Sequence, residues 1–316
     1  MQWLLKNLGW MLQSFMGTTV CESVNAAGNI FLGQTESPML IRPYIRYLTH
    51  SEIHAIIVSG FATVSGTTLA AYISYGAEPY HLITASVMAA PASLFFSKLF
   101  YPETEDSLTT SENISLEKSA DTSLLDAASN GAKNGIGIYL NIIANLVAFI
   151  AFFAFTDNVL KWTFHLIGFK DLGVAFFLGK LFIPVSWALG VEWTDCEAIG
   201  NVIGQKTFVN EFVAYRLLGD YTRSGEISHR SSAIATYAIC GFGNPSAMGI
   251  IIGALSALAP ERRPAIVKVA FRAFIAGCIV PMITACLAGL LMTDEIILHL
   301  YDDTTFNNKT LKFLPN

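Results

Sequence analysis

The sequence predicts an all-α integral membrane protein, an inverted-repeat core with two re-entrant helical hairpins and discontinuous transmembrane helices. Three observations carry this. Of 316 residues, 53% are hydrophobic and 14% charged, whereas soluble domains carry about a quarter charged residues. Four uncharged runs, residues 55–77, 135–156, 232–259 and 273–293, each reach or exceed the roughly 20 residues that a spanning helix needs. A soluble protein with buried helices can show one such run, but four make a membrane pattern. Between them lie shorter apolar stretches dense in Gly, Pro, Asn, Gln and Glu, and these occur twice.

In chain order, residues 1–20 read as the end of a scaffold helix. They lack the basic segment, apolar core and small-residue cleavage site of a signal peptide. Residues 21–101 form the first repeat, a re-entrant hairpin plus two spans. Within it, residues 24–35 are uncharged but too short to cross a bilayer, which suits a hairpin that enters and leaves on one side. Residues 102–134 turn polar and acidic (Glu103, Glu105, Asp106, Glu112, Glu117, Asp121, Asp126) and read as a solvated cytoplasmic loop. Residues 135–168 make a scaffold-type span. Residues 169–293 form the second repeat, with its short apolar hairpin stretch at residues 181–191, and residues 294–316 an extracellular tail. Orientation follows from the basic link that carries Arg262, Arg263, Lys268 and Arg272, which should stay cytoplasmic, as should Arg42 and Arg46. The sequon Asn308-Lys309-Thr310 is then accessible to glycosylation, and Asn113-Ile114-Ser115 is not.

The two halves echo one another. Gly28-Asn29-Ile30-Phe31-Leu32-Gly33-Gln34, followed by Glu36, answers Gly200-Asn201-Val202-Ile203-Gly204-Gln205, followed by Glu211. Each echo precedes a span interrupted by breakers: Gly60-Phe61-Ala62-Thr63-Val64-Ser65-Gly66 and Gly241-Phe242-Gly243-Asn244-Pro245-Ser246. A doubled hairpin and broken helix is the pattern of an inverted-repeat transporter core.

Several function classes drop out. The net charge of −5 and the absence of a basic stripe give no support to nucleic-acid binding. The five cysteines lie singly, without a C-x-x-C pair, and read as small buried hydrophobes. With no H-E-x-x-H, G-x-S-x-G or P-loop, and six scattered histidines, no catalytic set or ATP site emerges. No cofactor is expected.

Three polar clusters remain. In Gly33-Gln34-Thr35-Glu36-Ser37-Pro38, Gly and Pro free backbone groups, while Gln34, Thr35 and Glu36 offer donors and acceptors at membrane depth, where unpaired polar groups are costly. Either this is a ligand site, the default for an intramembrane ionisable residue, or it is a cytoplasmic loop where Glu36 costs nothing. In Gly204-Gln205-Lys206-Thr207-Phe208-Val209-Asn210-Glu211, an ionised Glu211 can accept two hydroxyl hydrogen bonds from a vicinal diol. The alternative is an ion pair of Glu211 with Lys206 or Arg216; Lys206 and Asn210 share a helix face and can instead brace the hairpin. In the third cluster Pro245 interrupts the span, so that Asn244 can present its amide, and Phe242 either offers an apolar face to a flat base or simply packs in the core. Around Asn29 and Thr63, side-chain oxygens and carbonyls of unwound backbone are the ligand type that sodium takes.

Together these motifs resemble the concentrative nucleoside transporters, most closely the animal members, almost end to end. The resemblance rests on Gly28 to Pro38, His81 to Leu94, Gly190-Val191-Glu192-Trp193, Asn210 to Tyr215 and Ala238 to Asn244. It implies a mobile transport domain held by a scaffold in a homotrimer at the plasma membrane, with sodium driving nucleoside inward by an elevator-like movement. Gln34, Thr35 and Glu36 would meet the nucleobase, with Thr67 and Thr68 nearby. Glu211 and Asn244 would hold the ribose, with Phe242 beside the base. Asn29, Thr63 and the carbonyls of Leu32 and Val64 would bind sodium. Gly33 stands where pyrimidine-selective animal members carry Ser, so the resemblance implies a purine or broad preference. Two departures stand out. Pro245 intrudes in the third motif and Ala247 occupies the place of a family Ser, leaving Ser246 to supply that hydrogen bond. The family's first spans, most of its scaffold, are also missing, so a non-transporting isoform or fragment that binds full-length subunits is the competing expectation.

Overall fold

The structure is a computed structural model describing residues 7, 10, 11, 13–109, 123–169 and 172–292. Among these there is no strand. The helices are α1 (Val20–Asn29), a 3₁₀ helix (Ser37–Tyr47), α2 (His50–Ala62), α3 (Gly66–Ser74), α4 (Pro79–Phe100), α5 (Leu124–Leu166), α6 (Val174–Ala188), α7 (Cys196–Phe208), α8 (Glu211–Ser224), α9 (His229–Ile239), α10 (Pro245–Leu258) and α11 (Arg263–Leu291).

The apolar runs 55–77 and 232–259 are both broken. Thr63 and Ser65 are extended, so α2 stops and α3 starts again at Gly66. The second break spans Cys240 to Asn244; there the Asn244 side chain accepts from Ala247 N at 2.9 Å and Pro245 occupies the first position of α10, where its missing N–H costs nothing. Caps set the other boundaries: Thr49 with Glu52 opens α2, Asn210 opens α8, and Gly225 closes α8 at φ 74°. Among the described residues, two helices are long and apolar enough to cross a membrane unbroken, Pro79–Phe100 and Pro260–Leu291.

Packing repeats the sequence echo. Helix α2 packs against α4 and α11, and α9 packs against α11 and α4. The first hairpin, α1 and the 3₁₀ helix, lies on α2; the second, α7 and α8, lies on α9. The second arm of each hairpin reaches the other repeat, the 3₁₀ helix touching α10 and α8 touching α3. One core cluster gathers residues such as Ile45, Ile56, Phe61 and Ile251, another Tyr72, Ile199, Tyr215 and Ile234, and Phe242 packs against both. At this centre the two breaks meet: a Cβ on Gly241 would stand 2.6 Å from the Phe61 carbonyl oxygen.

Three sequence expectations change. Residues 181–191 are not the re-entrant turn; they belong to α6 and the turn after it. Helix α6 lies antiparallel to α7 through Gly179 and Gly200, where an added Cβ would fall 2.7 Å from the Gly179 oxygen. The turn that faces the centre is Val209–Asn210, between α7 and α8. Hydropathy found α6 because it is uncharged there, whereas Glu197, Gln205 and Lys206 interrupt the α7 run. The scaffold-type span begins as helix at Leu124, inside the expected loop, with Ser123 accepting from Asp126 N at 3.1 Å. Before that, the acidic segment docks on the start of α2: Thr49 Oγ1 donates to Glu103 at 2.8 Å, Ser107 Oγ donates to Glu52 at 2.7 Å, and His50 pairs with Glu105 at 2.7 Å. The basic link closes the same end, Arg262 donating to the Leu48 carbonyl and Arg272 to that of Phe100. The expected tail 294–316 and both sequons lie outside the described residues.

Gly241→Ala places a methyl group against backbone that cannot step aside. It should cost about 1–3 kcal/mol of stability, read as a lower melting temperature of the detergent-solubilised protein; an unchanged melting curve would contradict the close crossing of the breaks.

Candidate functional site

Both hairpin turns and both helix breaks open onto one cavity of about 280 Å³. From the first hairpin come Gly33, Gln34, Thr35 and Glu36; from the first break Ser65 and Thr68; from the second hairpin Asn210, Glu211 and Phe212; from the second break and α10 Phe242, Asn244, Ser246, Ala247 and Ile250. Eight of the nine residues expected to meet substrate therefore converge from four chain segments. The ninth, Thr67, lies on α3, and its side chain is outside the described residues.

The cavity has a polar end and an apolar flank. At the polar end Asn244 Nδ2 donates to Glu211 Oε2 at 2.8 Å, with both residues buried. This holds the carboxyl from one side and leaves its remaining acceptor positions for hydroxyls. Glu211 forms no direct ion pair with Lys206 or Arg216 among the described residues. Asn244 does double duty, since its Oδ1 caps α10; the side chain is locked in place before any ligand arrives. Ser246 Oγ is buried, faces the cavity and has no hydrogen-bond partner.

Opposite, Thr35 Oγ1 donates to Glu36 Oε2 at 3.0 Å, and Glu36 is the exposed member of an otherwise buried turn. Gln34 is buried with its Oε1 unpaired. Burying such an amide without a partner is costly, so a ligand donor is the natural complement. Ser65 and Thr68 bond to each other at 3.3 Å. The apolar flank is Phe212, Phe242, Ala247 and Ile250, a surface suited to a flat ring. Donors and acceptors at one end of a small, largely apolar cleft describe a binding site for a small polar molecule.

The expected cation residues lie beside this cavity. Asn29 Nδ2 donates to Ser59 Oγ at 2.9 Å, and Thr63 Oγ1 donates to the Ser59 carbonyl at 2.9 Å. Ser59 thus ties the first hairpin to the end of α2, a link that sequence reading missed because a lone Ser inside an apolar run carries no pattern. Asn29 is fully buried and its Oδ1 has no hydrogen-bond partner. An orphaned amide oxygen next to the unwound backbone of Thr63, Val64 and Ser65 fits a hard cation. Gly66 N donates to the Phe31 carbonyl at 3.1 Å, fixing hairpin turn and break together.

Comparison with known proteins agrees with this arrangement. Residues 81–289 match a family described as "Na+ dependent nucleoside transporter C-terminus", and residues 1–78 one described as "Nucleoside recognition". Solute carrier family 28 member 3 of Homo sapiens is 42% identical over 99% of this chain and 48% of its own length. Sodium/nucleoside cotransporter 2 of Rattus norvegicus is 40% identical over 98% of this chain and 50% of its own length. The chain thus spans about half the length of the curated relatives it matches. Among solved structures, CNTnw in an inward-facing substrate-bound state aligns with a TM-score of 0.81 at 39% identity, covering 92% of this chain and 68% of that one; CNTnw in an intermediate state reaches 0.84. With the repeat, the cavity and these matches all in agreement, the chain belongs to the sodium-dependent nucleoside transporter family.

Proposed function

We propose that this chain is the transport core of a sodium-coupled nucleoside symporter with a purine or broad preference, working at the plasma membrane by an elevator-like movement. The observation that carries the reading is the cavity itself: two hairpin turns and two helix breaks, far apart in sequence, place Gln34, Thr35, Glu36, Glu211, Asn244 and Ser246 around one space. Glu211 and Asn244 take the ribose hydroxyls, with Ser246 as a further partner. Gln34, Thr35 and Glu36, with Thr67 and Thr68 nearby, face the base, and Phe242 lies along it. Sodium sits with Asn29, Thr63 and the carbonyls of Leu32 and Val64, where it stiffens the junction of hairpin and break that forms one wall. That shared wall is the coupling: an ion that orders it improves nucleoside binding, and by linkage nucleoside improves ion binding. In this reading the chain is multi-pass in the lipid bilayer with an extracellular C-terminus, needs no cofactor beyond the coupling ion, acts on nucleosides rather than nucleic acid, and assembles as a homotrimer where a scaffold is present.

A second reading follows from α5. It packs chiefly against α10 and more slightly against α6, and it leaves Leu140, Val147, Phe152 and Phe155 at least 60% exposed. A face of that kind needs lipid or another subunit. A non-transporting isoform that joins full-length subunits would use it, and co-expression with a full-length relative would then change uptake without sodium-dependent uptake by this chain alone.

The two readings separate in labelled adenosine and uridine uptake by transporter-deficient cells, comparing sodium with choline medium. The symporter reading predicts sodium-dependent uptake that falls by about 10–100-fold in Glu211→Gln, since a hydrogen bond to a charged group contributes about 1.5–3 kcal/mol. Uptake that is absent in sodium, or equal in choline, would contradict it.

Selectivity has its own test. A Cβ on Gly33 would run into the Glu36 carboxyl and stand 3.2 Å from Ser65 Cβ, so Gly33→Ser should push Glu36 into the cavity and narrow the base end. The expected result is adenosine uptake reduced more than uridine uptake, by about tenfold for a cost near 1.4 kcal/mol. Strong thymidine uptake by the unsubstituted chain without competition from adenosine would overturn the purine preference.

A further inference from the structure

We propose that the Lys206 ammonium is a built-in cation at the broken helix of the second repeat, standing where the first repeat recruits a sodium ion. Lys206 lies in the last turn of α7 and is 1% exposed; its Nζ has no hydrogen-bond partner. A Cβ on Gly243 would fall 3.2 Å from that nitrogen, which places it inside the break between α9 and α10. Its neighbours are Cys240 in the break, Glu211 at the start of α8, which bonds to Asn244, and Cys278 on α11, whose Sγ bonds to the Gly243 carbonyl. A lysine this deeply buried without an ion pair is costly to retain, so its position calls for a compensating role.

The mirror relation of the repeats supplies one. The sequence echo pairs Asn29 with Asn201 rather than with Lys206, so the likeness is one of place alone: Asn29 ends α1, Lys206 lies in the last turn of α7, and each belongs to the first arm of its hairpin. Asn29 bonds to Ser59 in the last turn of α2, which ends at Thr63; Lys206 Nζ lies beside Gly243, three residues past Cys240, where α9 ends. Each broken helix therefore presents the negative end of its dipole to a cation position. In the first repeat the neighbouring side chain is neutral with an orphaned oxygen, so the cation must come from solution. In the second the side chain carries its own charge. Lys206 also lies near Glu211 without a direct ion pair, which leaves the carboxyl oxygens to Asn244 and ligand. Lys206 is thus a positioning residue for the ribose end, and the second break is loaded permanently. The inference deepens the symporter reading and rests on it for the role of Glu211.

The test is chemical rescue of Lys206→Ala, which leaves room for a small amine, read by thermal unfolding of the purified chain in choline chloride with and without methylammonium chloride. The proposal predicts a melting temperature several degrees below that of the unsubstituted chain, raised by methylammonium, which leaves the unsubstituted chain unchanged. A variant as stable as the unsubstituted chain, or a loss that methylammonium does not reduce, overturns it. Should Lys206→Ala fail to fold, Lys206→Met and Lys206→Met/Glu211→Gln decide: removing both charges must recover monodisperse protein, and a double variant no better than Lys206→Met overturns the proposal. Adenosine binding measured on the same samples reports separately on the symporter reading, because the rescue of stability does not require nucleoside.

Discussion

Breaking a helix inside an apolar body strands backbone donors on one side and carbonyls on the other, and this chain does it twice at one place. The rest of the fold answers that constraint. Asn244 caps the restarted α10, Gly66 N reaches back to the Phe31 carbonyl of the first hairpin turn, and Gly241 lets the two breaks approach to backbone contact. Each hairpin's second arm reaches the opposite repeat. The cavity is what remains between four such ends. Its polar lining is the same set of groups that the breaks left exposed, which is why binding chemistry and fold cannot be separated here.

The division of labour within the cavity follows from local geometry. Asn244 is committed on both sides, to the α10 amide and to Glu211, so the end of the cavity at the second break is held rigidly, with the unpartnered Ser246 Oγ beside it. The end at the first hairpin turn is looser: Gln34 Oε1 lacks a partner, and Glu36 is the exposed carboxyl of its turn. Ser59 joins the cation residues to α2, so anything that orders the junction of hairpin and break reshapes one wall of the cavity. Lys206 extends the same logic to the other repeat, where the charge is covalently attached. The two halves therefore solve one electrostatic problem by different means, which gives an inverted repeat of unequal ion demand.

Much of this was legible in the sequence. Composition and four uncharged runs showed the membrane class, the paired Gly-Asn echoes showed the repeat, and breakers inside apolar runs marked the two interruptions. Eight of the nine residues expected to meet substrate line one cavity, because polar groups that a membrane core cannot tolerate at random stand out against an apolar background. The errors have physical sources too. Hydropathy placed the second hairpin on α6 because α7 carries Glu197, Gln205 and Lys206, whose cost is met by tertiary contacts that no local pattern reveals. The loop expected at 102–134 was read from its carboxylates, yet its first residues dock on α2 and its last eleven are helical. Ser59 and Ile250 were invisible because ordinary residues in apolar runs become site residues only through packing.

The central claim is that these four chain segments form a nucleoside site whose affinity depends on sodium. Equilibrium binding of labelled adenosine to the purified chain, in sodium and in choline, tests it without requiring a scaffold or a membrane gradient. Saturable binding in sodium that weakens strongly in choline is the predicted result. Absence of saturable binding in sodium, or equal affinity in both media, would contradict it.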